Sequence, residues 1–235
     1  MKKVIITGAS RGIGKAIATS LAKTGNYQLA VCSKTANRAD ALAAKLKEQH
    51  SNLKIFPGLC DVSKKEEVEN FVKKLIDEDF YPDVLINNAG IFRQENFFDL
   101  SENSLNEIMQ TNLYGAYYFS KEIVPLMKQK NSGQVINICS TASIQAYKDA
   151  AAYCVSKHAL LGLTRVLREE LKDNGIAVTA VMPGATLTDS WGKTELPSDR
   201  FMSAEDIGES VRSIIELSPQ SVAEEIVLRP AKGDI

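Results

Sequence analysis

The sequence predicts an α/β fold, a seven-stranded parallel sheet with helices on both faces, and three observations carry that expectation. Short β-branched runs alternate with helical patterns along the chain, a glycine-rich turn follows the first run, and 235 residues are enough for one large domain. Strands are expected near 3–7, 27–33, 53–58, 83–87, 134–140, 176–182 and 224–229. Helices are expected near 12–24, 36–49, 64–78, 102–130, 150–173 and 204–216. Strict alternation means parallel strands joined by crossover helices. No repeat, low-complexity tract or linker interrupts the pattern, so residues 1–235 read as a single dinucleotide-binding domain. The least regular stretch, 184–202, follows a strand end and is expected to form a substrate lid, because loops of that length are usually functional.

The first strand is marked by Val4-Ile5-Ile6, a β-branched run that reads as buried on both faces. It breaks at Thr7-Gly8-Ala9-Ser10-Arg11-Gly12-Ile13-Gly14, and the helical spacing Ile13, Ile17, Leu21 begins there. Gly8 permits the sharp turn, Gly12 lets backbone amides approach a pyrophosphate, and Gly14 allows helix to pack closely on strand. The helix amino terminus adds partial positive charge, so Ser10 to Gly14 form a phosphate cradle. This makes the fold doubly wound, of the Rossmann type.

Composition narrows the partners. With 28 Lys and Arg against 29 Asp and Glu the formal charge is -1, so no basic footprint for nucleic acid is present, and Lys64-Lys65-Glu66-Glu67 reads as a solvated helix start. No stretch approaches the ~20 apolar residues of a membrane span, and Met1-Lys2-Lys3 precedes too short an apolar run for a signal peptide. Cys32, Cys60, Cys139 and Cys154 lack metal-ligand spacing and are expected to be buried free thiols, which points to a cytoplasmic protein without a metal.

Tyr153-Cys154-Val155-Ser156-Lys157 puts a phenol and an ammonium on one helix face. A neighbouring cation lowers a phenol's pKa from its usual ~10, which makes a proton donor for a carbonyl oxygen.

Together these residues resemble the short-chain dehydrogenase/reductase family. Its T-G-x-x-x-G-x-G pattern is met at Thr7, Gly8, Gly12 and Gly14, and its Y-x-x-x-K at Tyr153 and Lys157. Asn87-Asn88-Ala89-Gly90 matches its N-N-A-G, Asn112 its helix asparagine, Ser140 its active-site serine, and Pro183-Gly184 with Thr188 its P-G-x-x-x-T loop. The resemblance implies a catalytic tetrad of Asn112, Ser140, Tyr153 and Lys157. Tyr153 would donate the proton, Ser140 would hold the carbonyl oxygen, Lys157 would stabilise the tyrosinate and bind the nicotinamide ribose, and Asn112 would anchor a water. It also implies cofactor contacts from Asn88, Ala89, Gly90, Pro183, Gly184, Thr186 and Thr188, and a homodimer or homotetramer built on the helices near 102–130 and 150–173, which carry Tyr114, Tyr117, Tyr118 and Phe119.

Cofactor choice is read at the end of the second strand, where an NAD enzyme carries an acid. Here Cys32-Ser33-Lys34 has none, and Arg11 adds a second cation, so NADP(H) is expected, bound in part by Arg11, Ser33 and Lys34. Asp61-Val62 resembles the family's adenine contact, though Asp61 could equally cap the helix that follows.

The substrate is expected to be a small carbonyl compound in a pocket of Ile91, Phe92, Arg93, Ile144, Gln145, Tyr147 and the lid with Trp191, which could stack on a flat ring or simply pack. Tyr81 reads as a packing residue. The end Glu225 to Ile235 departs from the V-D-G-G ending of 3-oxoacyl-carrier-protein reductases. With Ser190-Trp191-Gly192-Lys193, it is similar to bacterial sepiapterin reductases, whose pterin substrate implies an anchoring carboxylate, Asp189 or Asp234. Reduction of 3-oxoacyl thioesters or a broad carbonyl range is the alternative, and a non-catalytic dinucleotide sensor a remote one.

Overall fold

Alternation within β1 (Lys2–Ile6) divides the core in two. Val4 and Ile6 join one buried cluster and Ile5 the other, as the period-two geometry of a strand covered on both faces requires. The computed structural model describes all 235 residues except Ala36 and Lys193, so the last residue of Ser190-Trp191-Gly192-Lys193 and the first residue of the helix expected near 36–49 lie outside the described residues.

After β1 come α1 (Gly12–Ala22), β2 (Tyr27–Ser33), α2 (Arg38–Gln49), β3 (Ile55–Leu59), α3 (Lys65–Asp77) and β4 (Val84–Asn87). The second half runs α4 (Glu102–Met109), α5 (Gly115–Lys130), β5 (Gly133–Ile138), α6 (Ala151–Leu171), β6 (Ile176–Pro183), α7 (Ala204–Ile215) and β7 (Glu225–Leu228). The strands form one seven-stranded sheet in the order β3-β2-β1-β4-β5-β6-β7, and every pairing is parallel. The expected doubly wound Rossmann-type architecture is therefore found.

On one face, Ile17 and Leu21 of α1, Leu42 and Leu46 of α2 and Ile207, Val211 and Ile215 of α7 cover the sheet. On the other, Val68, Phe71 and Leu75 of α3 meet Phe119, Ile123 and Met127 of α5. Order reverses between β1 and β4, and open parallel sheets bind ligands at the carboxyl ends flanking such a point.

One expected helix is interrupted. Residues 102–130 divide into α4, a π-turn over Gln110–Tyr114, and α5, with the Gly115 N–H bonded five residues back to the Gln110 carbonyl. Tertiary contacts accompany the π-turn: the Asn112 side chain is drawn out to the chain after β4, and Gly115 packs so closely on Val62 that a Cβ would stand 2.8 Å from Val62 Cγ2. The four cysteines are free and buried, as expected. No helix among the described residues is long and apolar enough to cross a membrane.

Candidate active site

The phosphate cradle forms because Thr7 at the end of β1 spends its hydroxyl on the neighbouring strand. Its Oγ1 accepts from the backbone N–H groups of Asn88 and Ala89, each at 3.0 Å, while Asn88 Nδ2 donates back to the carbonyls of Thr7 (2.9 Å) and Gly8 (3.1 Å). This reciprocal lacing leaves no room for side chains. Gly8 has φ +63° with Ala89 Cα 2.8 Å from where a Cβ would be, and at Gly14 a Cβ would lie 2.4 Å from Asn88 Nδ2. No side chain caps the amino terminus of α1, so its first amides stay free for an anion.

From this cradle a cavity of about 290 Å³ runs along the carboxyl ends of the strands. Its wall takes Gly8, Ser10, Arg11, Gly12, Ile13 and Gly14 from the cradle, Ser33 and Lys34 after β2, and Asp61 and Val62 after β3. It continues through Asn88, Ala89 and Gly90 to Ile91, Phe92, Tyr153, Lys157 and Thr188. Pro183, Gly184 and Thr186, expected to touch a cofactor, are not on this wall, and the Thr186 hydroxyl donates instead to the Gly184 carbonyl at 3.0 Å. Arg38, at the start of α2, joins the wall beside Ser33, Lys34 and Thr35. Sequence reasoning missed it; the signal available was a cation one helix-start beyond the acid-free strand end. The Asp61 carboxylate accepts from the Ser63 N–H (3.1 Å) and hydroxyl (2.7 Å), so it closes the local turn while also lining the cavity.

A buried polar chain holds the opposite end. Asn87 Nδ2 donates to Asn137 Oδ1 (2.8 Å), Asn137 Nδ2 to Thr164 Oγ1 (2.8 Å), and Thr164 Oγ1 to the Leu160 carbonyl (2.7 Å). This fixes α6, the bearer of Tyr153 and Lys157, against β4 and β5. Lys157 is 4% exposed; its Nζ donates to the Ile138 carbonyl at 2.8 Å and stands 5.8 Å from the centroid of the Tyr153 ring.

Burial governs both groups. It pushes the Tyr153 phenol up to about 12, opposed by a hydrogen bond from Ser140, and it lowers the Lys157 ammonium. Desolvation is the largest influence on the phenol, and the Lys157 proton is directed at a backbone carbonyl.

Ser140 and Asn112 are more constrained than their sequence context suggested. Ser140 Oγ caps the short turn Thr141–Ser143 by accepting from Ala142 N–H at 3.1 Å, and its own proton remains available to the phenol. The Asn112 side chain is heavily engaged: Oδ1 accepts from Ile91 N–H (2.8 Å), and both Nδ2 protons are used, one to the Ile91 carbonyl (3.0 Å) and one to Ser156 Oγ (3.0 Å).

The residues expected to bind substrate divide. The Tyr147 hydroxyl donates to Thr141 Oγ1 at 2.9 Å and lies 3.4 Å from Asp234 Oδ2. Asp234 pairs with Arg229, yet its Oδ1 is buried without a partner. Asp189 lies on the cavity wall. Trp191 sets its ring edge-to-face on Phe201, centroids 4.9 Å apart, and remains 37% exposed. No cluster of metal-ligating side chains occurs among the described residues.

Comparison with known proteins agrees with this geometry. The chain is 30% identical to a sepiapterin reductase of Chlorobaculum tepidum over 99% of its length and 97% of that protein's. It is 33% identical to a 3-oxoacyl-[acyl-carrier-protein] reductase of Staphylococcus epidermidis over 80% of this chain and 76% of that one. An alcohol dehydrogenase of Thermococcus sibiricus, solved in complex with 5-hydroxy-NADP, superposes with a TM-score of 0.91 at 31% identity, covering 98% of this chain and 97% of that one. With the family pattern matched across residues 2–198 on a fold and site of this kind, the chain is a member of the short chain dehydrogenase family.

Proposed function

We propose that the protein reduces the ketone of a small molecule with NADPH, a pterin side-chain carbonyl of the sepiapterin type being the first candidate. The observation that carries the reading is the placement of Tyr153 and Lys157 beside the carboxyl end of β5, with Ser140 hydrogen-bonded to the phenol, at one end of a cavity whose other end holds Arg11, Lys34 and Arg38 and no acid from β2. The cradle fits a dinucleotide: Gly8 and Gly14 stand where a Cβ would collide, and the α1 amides are uncapped.

When bound, the reduced nicotinamide supplies the hydride. Gly12, Ile13 and Ser10 would hold the pyrophosphate, and Arg11, Lys34 and Arg38 the 2′-phosphate by charge-assisted bonds. Ser140 donates a hydrogen bond to the carbonyl oxygen as negative charge develops there, and Tyr153 delivers its proton to that oxygen. A phenol held near 12 is a reluctant acid, so Lys157 must stabilise the tyrosinate in the transition state, and the chain of Asn137 and Thr164 keeps α6 in place meanwhile.

For a pterin, the Asp234 carboxylate is the favoured anchor of the two expected: its Oδ1 has no protein partner, and its Oδ2 lies 3.4 Å from the hydroxyl of Tyr147, a hydrogen-bonding neighbour of the serine loop. The second reading, reduction of a 3-oxoacyl thioester, is favoured by the likeness to the staphylococcal reductase. A substrate panel followed by NADPH absorbance separates them. Sepiapterin is expected to give a kcat/KM at least about tenfold above any 3-oxoacyl thioester, and the reverse order overturns the pterin reading. Action in the cytoplasm and assembly into a homo-oligomer complete the proposal.

A further inference from the structure

The chain between β4 and α4 is pinned on either side of one aromatic residue. On the near side, both backbone groups of Ile91 are taken by the Asn112 side chain, at 2.8 and 3.0 Å. On the far side, the Glu95 N–H donates to the Asp149 carbonyl (2.9 Å) and the Glu95 carbonyl accepts from Ala151 N–H (3.1 Å), a bridge to the first turn of α6. Arg93 between them turns outward to Ser104 and Glu107. Phe92 turns inward. Its ring meets Tyr153 edge-to-face, with centroids 5.1 Å apart and planes at 89°. It shares the cavity wall with Tyr153 and remains 46% exposed.

A tyrosine that donates a proton must hold its hydroxyl within a narrow range of positions, and α6 fixes only its backbone. The ring needs neighbours. Lys157 contributes one contact and Ser140 engages the hydroxyl, but both are polar groups with work of their own. Beside the small buried cluster of Ala142, Ala150 and Cys154 that the ring also packs against, Phe92 is its aromatic contact, and it sits on a segment clamped to α6 itself, so ring and clamp move with the helix that carries the donor. We propose that Phe92 is a positioning residue for Tyr153: it fixes the orientation of the phenol and excludes water from that side of it. The inference rests on the reading of Tyr153 as proton donor and adds to it a residue that the family pattern does not mark.

The test compares Phe92→Leu, Phe92→Ala and Phe92→Tyr with the parent and with Tyr153→Phe, using the full-length protein, NADPH and whichever carbonyl substrate the panel yields. Loss of the ring is expected to lower kcat about two- to twelvefold, the worth of one aromatic pair, with NADPH affinity unchanged within twofold. Phe92→Tyr, which restores the ring, should recover kcat to within twofold. Burial lifts the Tyr153 phenol, so admitting water should also move the alkaline limb of the kcat profile to lower pH in Phe92→Leu and Phe92→Ala. If Tyr153→Phe is inactive while Phe92→Leu keeps the parental kcat and pH profile, the positioning role is wrong and the donor assignment stands. A fall in kcat that Phe92→Tyr does not rescue, or that comes with weakened NADPH binding, also overturns it, since collapse of the loop would then be the cause. An active Tyr153→Phe removes the donor reading itself.

Discussion

Lys157 donates its buried ammonium to the Ile138 carbonyl at 2.8 Å, at the point where β5 ends and the serine loop begins. That bond joins the helix carrying the phenol to the strand that leads into Ser140, adding to the Asn87, Asn137 and Thr164 chain that holds the same helix. The ammonium thus already has an acceptor, while burial is the largest influence on the phenol and raises it.

Ionisation of tyrosines follows directly. Tyr153 is held near 12 by burial, and Tyr27 near 12 by burial and then by the Glu216 carboxylate that its hydroxyl meets at 3.3 Å. The folded state prefers both phenols protonated, so their contribution to stability is complete below about 10, the unfolded value, and is lost as pH rises through 12. Absorbance titration without cofactor should show a late tyrosinate component that Tyr153→Phe reduces. Denaturation across the same range should lose stability more gently in Tyr27→Phe than in the parent.

Selection of NADPH should need three cations. Arg11, Lys34 and Arg38 share the wall at the β2 end of the cavity. Replacing Arg11 and Lys34 with alanine is expected to weaken NADPH binding about tenfold or more while sparing NADH, and adding Arg38→Ala should abolish the remaining preference. Fluorescence titration with both cofactors measures it; a triple variant that still selects NADPH would place the phosphate site elsewhere.

Gly14 tests the cradle. A methyl group there would meet Asn88 Nδ2 at 2.4 Å and the Gly8 carbonyl at 2.6 Å, both held by the lacing of β1 to β4. Gly14→Ala should cost roughly 1–3 kcal/mol of stability in urea and lose NADPH binding. Gly162→Ala, where a Cβ meets nothing within 4 Å in the single chain, is the control and should keep NADPH binding, its only new contact being one across the α6 face expected to pair on assembly.

Assembly is expected through α6. Val155, Ala159, Gly162 and Val166 form a stripe at helical spacing, and Val155 and Val166 are 55% and 58% exposed. Small apolar residues on a bare helix face suit two-fold pairing with a second copy. Phe119, expected to contribute from α5, is instead buried in the core against Phe71. Light scattering should give a dimer or tetramer, and Val155→Glu with Val166→Glu should lower the mass without loss of helical signal; a monomeric parent contradicts the proposal.

The sheet was legible because each strand is a short apolar run between turn residues, and β1 even shows its two-faced burial in Val4-Ile5-Ile6. Tyr153, Lys157 and the glycines were legible because their spacing is local. The π-turn at Gln110–Tyr114 was not, since it depends on Asn112 reaching Ile91 twenty-one residues earlier, and periodicity records nothing of such a bond. Arg38 was hidden for the same reason: a helix-start arginine looks solvated until the fold turns it toward Lys34. The phenol's high pKa depends on burial, a tertiary quantity, so a pattern that pairs phenol with ammonium gives the partner and not the balance.

The most direct test of the account is Tyr153→Phe measured for both turnover and NADPH binding. The phosphate cradle and Lys157 are untouched by the change, so NADPH should bind within about twofold of the parent while carbonyl reduction falls at least a thousandfold, on the order of the general-acid contribution. Reduction within tenfold of the parent would contradict the assignment of Tyr153 as the proton donor.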